Sequence, residues 1–218
     1  MKFAITIFAL FLAGTASAQD AASTAARAHV RFTVENPQLD PADYSLQIYE
    51  DGTGSYSVSL SGDSPSQPAV RAIQIHEPLL SRLFEVARKQ HFFALDCQAP
   101  HSQVAFTGKK TFAYTGPDGR GICIFNYSRE QPINQIAADL MSVAFTLQEG
   151  VRLASDHLHD RLALDEELES LQEAAQDRRA LELENIAPVL ESVANDEAVM
   201  NRARARARAL IVEPASIR

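Results

Sequence analysis

The chain has no nucleophile elbow, no HExxH pair and no glycine-rich dinucleotide fingerprint, so the familiar hydrolase, metalloprotease and nucleotide-enzyme signatures are missing. Basic residues are not in excess. Twenty Lys and Arg stand against 28 Asp and Glu, and the net charge of −8 argues against general binding to nucleic acid or anionic membranes. Apolar runs are short: the greasiest covers only residues 3–13, too few to span a bilayer. Glycine is absent after Gly150 and aromatics are absent after Phe145, a composition that turns the C-terminal part away from strands and toward helices.

Cysteine is scarce too, with two residues, Cys97 and Cys123. A bond between them would close a loop of 26 residues and stabilise the fold by on the order of 3 kcal/mol. The rival is a reactive thiol activated by His91 or His101. Two cysteines in an exported chain favour the bridge.

Export is the expectation from the first residues. Met1 and Lys2 precede the apolar run, and Ala16, Ser17 and Ala18 end it, which predicts a signal peptide over 1–18 cut before Gln19. No cysteine stands at that point, so a lipid anchor is not indicated. The signal looks bacterial, and the expected destination is the periplasm or the medium. Residues 19–28 are small and polar and are expected to form a flexible lead-in.

From 29 to 150 the pattern alternates between the two periods. Val30, Phe32 and Val34 alternate with polar residues, as do Tyr44, Leu46 and Ile48, then Tyr56, Val58 and Leu60 after the turn at Asp51, Gly52, Thr53 and Gly54. A loop at 61–68 and a strand ending in Ile73 and Ile75 follow. Pro78 suits the first turn of a helix whose stripe is Leu79, Leu80, Leu83, Phe84, Val86 and Ala87, with Glu85 placed to pair with Lys89. Residues 111–115 and 121–127 read as a hairpin around Pro117 and Gly119. Cys123 and Phe125 share one face of its second strand, while Ile122 and Ile124 take the other. Apolar residues on both faces predict a strand inside the sheet. Pro132 then opens a helix with Ile133, Ile136, Ala137, Leu140, Ala144 and Leu147 on its core side. The fold class is α+β: an antiparallel sheet packed by helices, followed by an α-helical C-terminal arm.

The arm, 151–218, is rich in Leu, Glu, Ala and Arg. Leu164, Leu168, Leu171 and Ala175 hold a 4-and-3 spacing that Arg178 breaks, which favours an antiparallel helical hairpin over a coiled coil. Asn185 and Pro188 mark its turn, and Asp196 is placed to cap a last helix over 197–211. There Val199, Met200, Ala203, Ala207, Leu210 and Ile211 share a face, flanked by the arginines of the run that starts at Arg202. Residues 156–191 are acidic, so these arginines are expected to pair within the chain rather than with nucleic acid.

Candidate chemistry is thin. Thr107, Gly108, Lys109, Lys110 and Thr111 faintly suggest a phosphate loop, but Gln103 stands where its first glycine belongs. Asp156, His159 and Asp160 would face one way on a helix, an incomplete ligand set for zinc. The remaining histidines, His29, His76, His91 and His101, are scattered singly and read as structural. No catalytic, cofactor-binding or metal residue is assigned, and no cofactor is expected.

Residues 40–147 resemble a family of small bacterial exported domains of the DUF6438-like type. The likeness rests on the strand into Asp51 and Gly52, the helix over 79–88 ending in Phe92, Phe93, Ala94 and Leu95, and a hairpin followed by a helix opening on proline. The resemblance implies an exported domain and carries no catalytic residues. The expected function is therefore a non-enzymatic binding or scaffolding module of the cell envelope that meets another envelope protein through its C-terminal helices, with no nucleic acid and no membrane span after signal cleavage. The alternatives are an enzyme with a site assembled from distant residues, around Asp156, His159 and Asp160 or near Cys97, and an inhibitor-like ligand-binding module using the loop at 61–68 or the tip at 117–120.

Overall fold

The computed structural model describes residues 27–59, 69–100 and 106–212. The expected signal peptide, residues 19–26 of the lead-in, the loop at 61–68 and His101 lie outside them. Arg27 and Ala28, which their composition groups with the lead-in, are already fixed. Ala28 is buried, and Arg27 lies over the Tyr49 ring and pairs with Asp51.

Six strands form one antiparallel sheet in the order β4-β3-β2-β1-β5-β6. They are β1 (His29–Glu35), β2 (Asp43–Tyr49), β3 (Thr53–Val58), β4 (Ala69–Gln74), β5 (Lys109–Gly116) and β6 (Gly119–Phe125). Period-two alternation sorts the side chains. Val30, Phe32, Val34, Leu46, Ile48, Phe112 and Phe125 are all buried on one face. The other face carries Arg31, Thr33, Ser45, Gln47, Ser55 and Ser57 and meets water. Phe32 stands opposite both Leu46 and Phe112, so β1 forms the spine of the inner face.

The inner face is covered by α1 (Leu79–Lys89) and the first half of α2 (Gln131–His159). Leu79, Leu83, Phe84 and Ala87 are the buried stripe of α1, with Leu80 and Val86 partly buried beside it. Arg88 at its end pairs with Glu50 on one hairpin turn and Asp118 on another. Tyr114 donates to the same Asp118 carboxylate, and that hydroxyl and Arg88 hold the Asp118 carboxyl below the usual range. Cys97 and Cys123 are disulfide-bonded with Cα atoms 5.7 Å apart, fastening the chain after α1 to β6. Between α1 and Cys97, residues His91, Phe92 and Phe93 take positive φ. This left-handed turn drives Phe93 into the core against Phe112 and brings the Phe92 carbonyl over Gly121, where a Cβ would lie 2.4 Å from it.

One expectation about this region is corrected. β6 is an edge strand, not an inner one. Ile122 and Ile124 do point away from Cys123 and Phe125, but toward water, at 58% and 50% exposure. The hairpin is also tighter than its composition suggests, with only Pro117 and Asp118 between the strands.

The expected boundary near residue 150 falls inside α2, a continuous helix of 29 residues. What changes there is the partner. Residues up to Leu147 belong to the sheet core, and from Leu153 they belong to a second core. That core is shared with α3 (Leu164–Gln176), α4 (Ala187–Asn195) and α5 (Asn201–Val212), so the expected hairpin and last helix pack with the end of α2 into a small bundle. Leu164, Leu168, Leu171 and Ala175 are buried in it as their spacing predicts. On α5, Ala203, Ala207 and Leu210 face inward, while Arg202 and Arg206 meet Asp165 and Arg206 also meets Glu169 at 2.9 Å. The basic run is thus answered within the chain. Asp196 caps the turn before α5, its Oδ1 accepting from the Ala198 N–H, and the helix starts later than expected, at Asn201.

Glu149 lies on α2 between the two cores with its side chain 7% exposed. Burial pushes its carboxyl above the usual 4.5, against the opposing pull of Arg152. An acid whose folded pKa is raised holds its proton more tightly when folded. Its contribution is therefore full below the unfolded value and is lost as pH rises through the folded one. Glu149→Gln, which mimics the protonated form at every pH, is expected to melt about 2 °C above the parent at pH 7. The two curves should converge near pH 4 in thermal denaturation.

Candidate functional site

The sheet domain and the helical bundle meet where the link from β4 to α1 touches the segment between α3 and α4. Two turns face each other there. Residues 75–78 leave the edge strand β4, and residues 178–186 wander from the end of α3 into a short 3-10 turn, Leu183–Ile186. Asn185 closes the sheet edge from outside: its Oδ1 accepts from Gln74 N at 2.8 Å and its Nδ2 donates to Gln74 O at 2.8 Å. One side-chain amide thus pairs with the edge as a further strand would. Asn185→Leu leaves both groups of a half-buried backbone unit unpaired. It is expected to cost about 2 kcal/mol, read as a lowered urea midpoint.

Beside this contact is a cleft of about 140 Å³ lined by His76, Arg82, Arg178, Glu182 and Glu184 among others. Glu182 sits at φ 59, a left-handed conformation uncommon for glutamate, and its side chain is 9% exposed. Its carboxylate accepts from the His76 backbone N–H at 3.2 Å and lies 2.6 Å from His76 Nδ1. Burial pushes the Glu182 carboxyl up, opposed by those hydrogen bonds, and the nearby charge of Glu184 raises it further. One ligand atom from each of His76, Glu182 and Glu184 falls within 4.8 Å of the others. Arg82 is committed to Asp139 at 2.7 Å, and Arg178 also acts on that carboxylate.

The cleft's lining contains no Ser, Thr, Cys or Tyr, so its reactive groups are the His76 imidazole and the glutamate carboxylates. Its volume is below that of ordinary organic-ligand pockets. It suits an ion or a single inserted side chain.

A second constellation was invisible in the sequence. His157 on α2 lies 2.8 Å from Asp196 Oδ2 through Nε2 and 3.4 Å from Ser192 Oγ through Nδ1. The carboxylate assigns the proton to Nε2, leaving Nδ1 to accept from the hydroxyl. Serine, imidazole and carboxylate are in hydrolase order, but Ser192 lies near the C-terminal end of α4, where carbonyls rather than N–H groups are free. Asp196 is already held below the usual range, first by the Ala198 N–H, then by His157, with Arg161 adding its charge. The row works as a tie between α2 and the α4–α5 link.

The candidate metal residues of the sequence are not brought together. Asp156 is half-buried, while His159 and Asp160 are exposed at the end of α2, and Asp160 closes the helix through its backbone. Cys97 is consumed by the disulfide, which rules out the reactive-thiol reading. Gly108, Lys109 and Lys110 form no phosphate cradle. Lys109 pairs with Glu35, and the Lys110 ammonium is buried and donates to Thr107 Oγ1, Gly108 O and Asn126 O. No described helix is long and apolar enough to cross a membrane. Comparison with protein-family models finds no family that matches the chain, and a search of curated proteins finds no matching relative.

Proposed function

We propose that the chain is an exported, non-enzymatic binding or scaffolding module of the cell envelope, periplasmic or secreted, that engages another envelope protein through its C-terminal helices. The observation that carries the reading is the apolar tip where α2 turns into α3. Leu158 is 74% exposed and Leu162 78%, and Val151, two helical turns earlier, is 55% exposed. Val151 and Leu158, seven residues apart, lie on one side of α2, and Leu162 stands in the turn just beyond its end, so the three offer a partner apolar contact around the tip. Exposed large apolar side chains grouped at one tip are a feature of surfaces that meet a partner.

Three further features support the reading. A disulfide persists in oxidising compartments. The first 18 residues have the composition of a bacterial signal. The resemblance to DUF6438-like exported domains points the same way. The enzyme alternative has no hydroxyl or thiol in the lining of the junction cleft, and the inhibitor-like alternative placed one of its loops at 61–68, outside the described residues.

The test is a pull-down from envelope extract with the purified protein and with a Leu158→Glu/Leu162→Glu variant. A partner held by the first and lost by the second, with both folded, supports the reading. Equal capture by both, or capture by neither, sinks it.

A further inference from the structure

We propose that His76, Glu182 and Glu184 form a binding site for one divalent transition-metal ion of the zinc class, which clasps the sheet domain to the helical bundle. The inference is independent of the partner surface at the α2–α3 tip.

Geometry is the first support. Tetrahedral zinc with nitrogen and oxygen ligands near 2.0–2.1 Å holds those ligands roughly 3.3 Å apart. The three side chains already offer one atom each within 4.8 Å of the others, so side-chain rotation alone closes the set. His76 Nδ1 and Glu182 Oε2, at 2.6 Å, now share a proton at the place where a cation would sit. Metal binding replaces that proton and opens the pair by under an ångström.

Chemistry is the second. One imidazole with two carboxylates is too nitrogen-rich for a calcium or magnesium cage and lacks the thiolates that select copper(I). It fits zinc, with manganese, cobalt and nickel as weaker or competing occupants. Three protein ligands leave a fourth position, and the cleft of about 140 Å³ has room for the water that fills it.

Charge and orientation are the third. Glu182 and Glu184 repel each other across the site, and a divalent ion converts that repulsion into attraction. Glu182 is held in place by the His76 backbone N–H, so that ligand is oriented before any ion arrives. The ligands also come from opposite sides of the junction, His76 before α1 and the glutamates after α3, with His76 and Glu182 106 positions apart in the chain. An ion held there binds the folded arrangement and not the unfolded chain, so it stabilises the junction by mass action.

The experiment uses the chelator-treated protein with its disulfide intact, titrated with Zn²⁺ by calorimetry and by thermal denaturation. The expected result is one equivalent bound and a melting temperature that rises with free Zn²⁺. His76→Ala and Glu184→Gln should each weaken binding by at least about tenfold, the loss seen even when an outer-shell partner of a metal ligand is removed. Glu184→Gln leaves the His76–Glu182 contact in place and guards against a folding artefact. His159→Ala, altering an exposed histidine elsewhere, should change nothing. Failure of the folded protein to take up Zn²⁺ overturns the proposal. So does binding that survives both substitutions at the junction, or that His159→Ala removes.

Discussion

Replacing Phe112 with alanine is expected to destabilise the protein by about 3–5 kcal/mol, a large share of the whole stability of an ordinary domain. Phe112 is fully buried on β5, stacked on Phe93 with ring centroids 4.7 Å apart and an interplanar angle of 16°. Phe32 lies at 4.7 Å and Phe125 at 6.1 Å. Two of these rings stand on neighbouring strands, and the third is held by the left-handed turn beside the disulfide. None can move far, so the cavity would stay open and the upper half of the range applies. Urea denaturation followed by near-ultraviolet and far-ultraviolet circular dichroism measures it. Both signals should shift together, because α2 contributes to both cores. A loss under about 1 kcal/mol, far below the usual cost of such a truncation, would show that the rings are not the tight cluster their spacing implies. A helical signal that outlasts the aromatic one would show that the second core stands alone.

Those rings were largely legible in the sequence, and the reason is local. Val30, Phe32 and Val34, then Tyr44, Leu46 and Ile48, alternate with polar residues because one face of their sheet meets water. A period of two on such strands names the buried side chains directly. The stripe of α1 was legible for the same reason at a period of 3.6, as was the inward face of α5 with Ala203, Ala207 and Leu210. Short-range pairs such as Glu85 with Lys89 follow from helix geometry alone. The cysteine pair was legible by counting.

Strand order was not. Ile122 and Ile124 give β6 two apolar faces, and that pattern is shared by a central strand and by an edge strand that leaves its isoleucines exposed. Only the pairing of β5 with β1 decides, and it joins residues as far apart in the chain as Phe32 and Phe112. The break at Gly150 misled in a similar way. Composition changes there, but the helix does not stop, because Ile186 of the bundle packs where a Cβ of residue 150 would lie, 2.4 Å from its Cγ2. Glycine at that position serves close approach rather than a turn.

The junction site was beyond the reach of sequence for a plainer reason. His76 looked solitary because its carboxylate partner is remote, and nothing in the spacing of a histidine and a glutamate 106 residues apart signals contact. On α2 the polar cluster of Asp156, His159 and Asp160 drew notice through its helical phase. The histidine in use is His157, whose partners Asp196 and Ser192 come from elements folded back onto it. The one available hint at the junction was Asn185, a turn former followed at three residues by Pro188. That marks where the chain reverses, not what it touches.

Breaking the disulfide is the second large effect, at about 3.5 kcal/mol for a loop of 26 residues in the chain-entropy account. The native position of Cys97 does not depend on the bond alone. Ala99 N donates to Tyr127 O at 3.0 Å and Arg129 N donates to Cys97 O at 3.0 Å, so the segments around both sulfurs stay paired without it. Most of the loss should therefore come from the freedom gained by the unfolded chain. The measurement is a urea midpoint for the oxidised protein, the reduced protein and a Cys97→Ala/Cys123→Ala variant. Reduction keeps the sulfur volume in a site where the cysteines are 1% and 2% exposed, whereas alanine removes it. Reduction alone should account for most of the loss, with the alanine pair costing a further increment for the cavity. If reduction instead leaves the midpoint within about 0.5 kcal/mol of the oxidised protein, the backbone pairing at 97–99 persists in the unfolded ensemble and already closes the loop. The clasp between α1 and β6 would then be those hydrogen bonds, and the sulfur bridge a lock on a structure that holds without it.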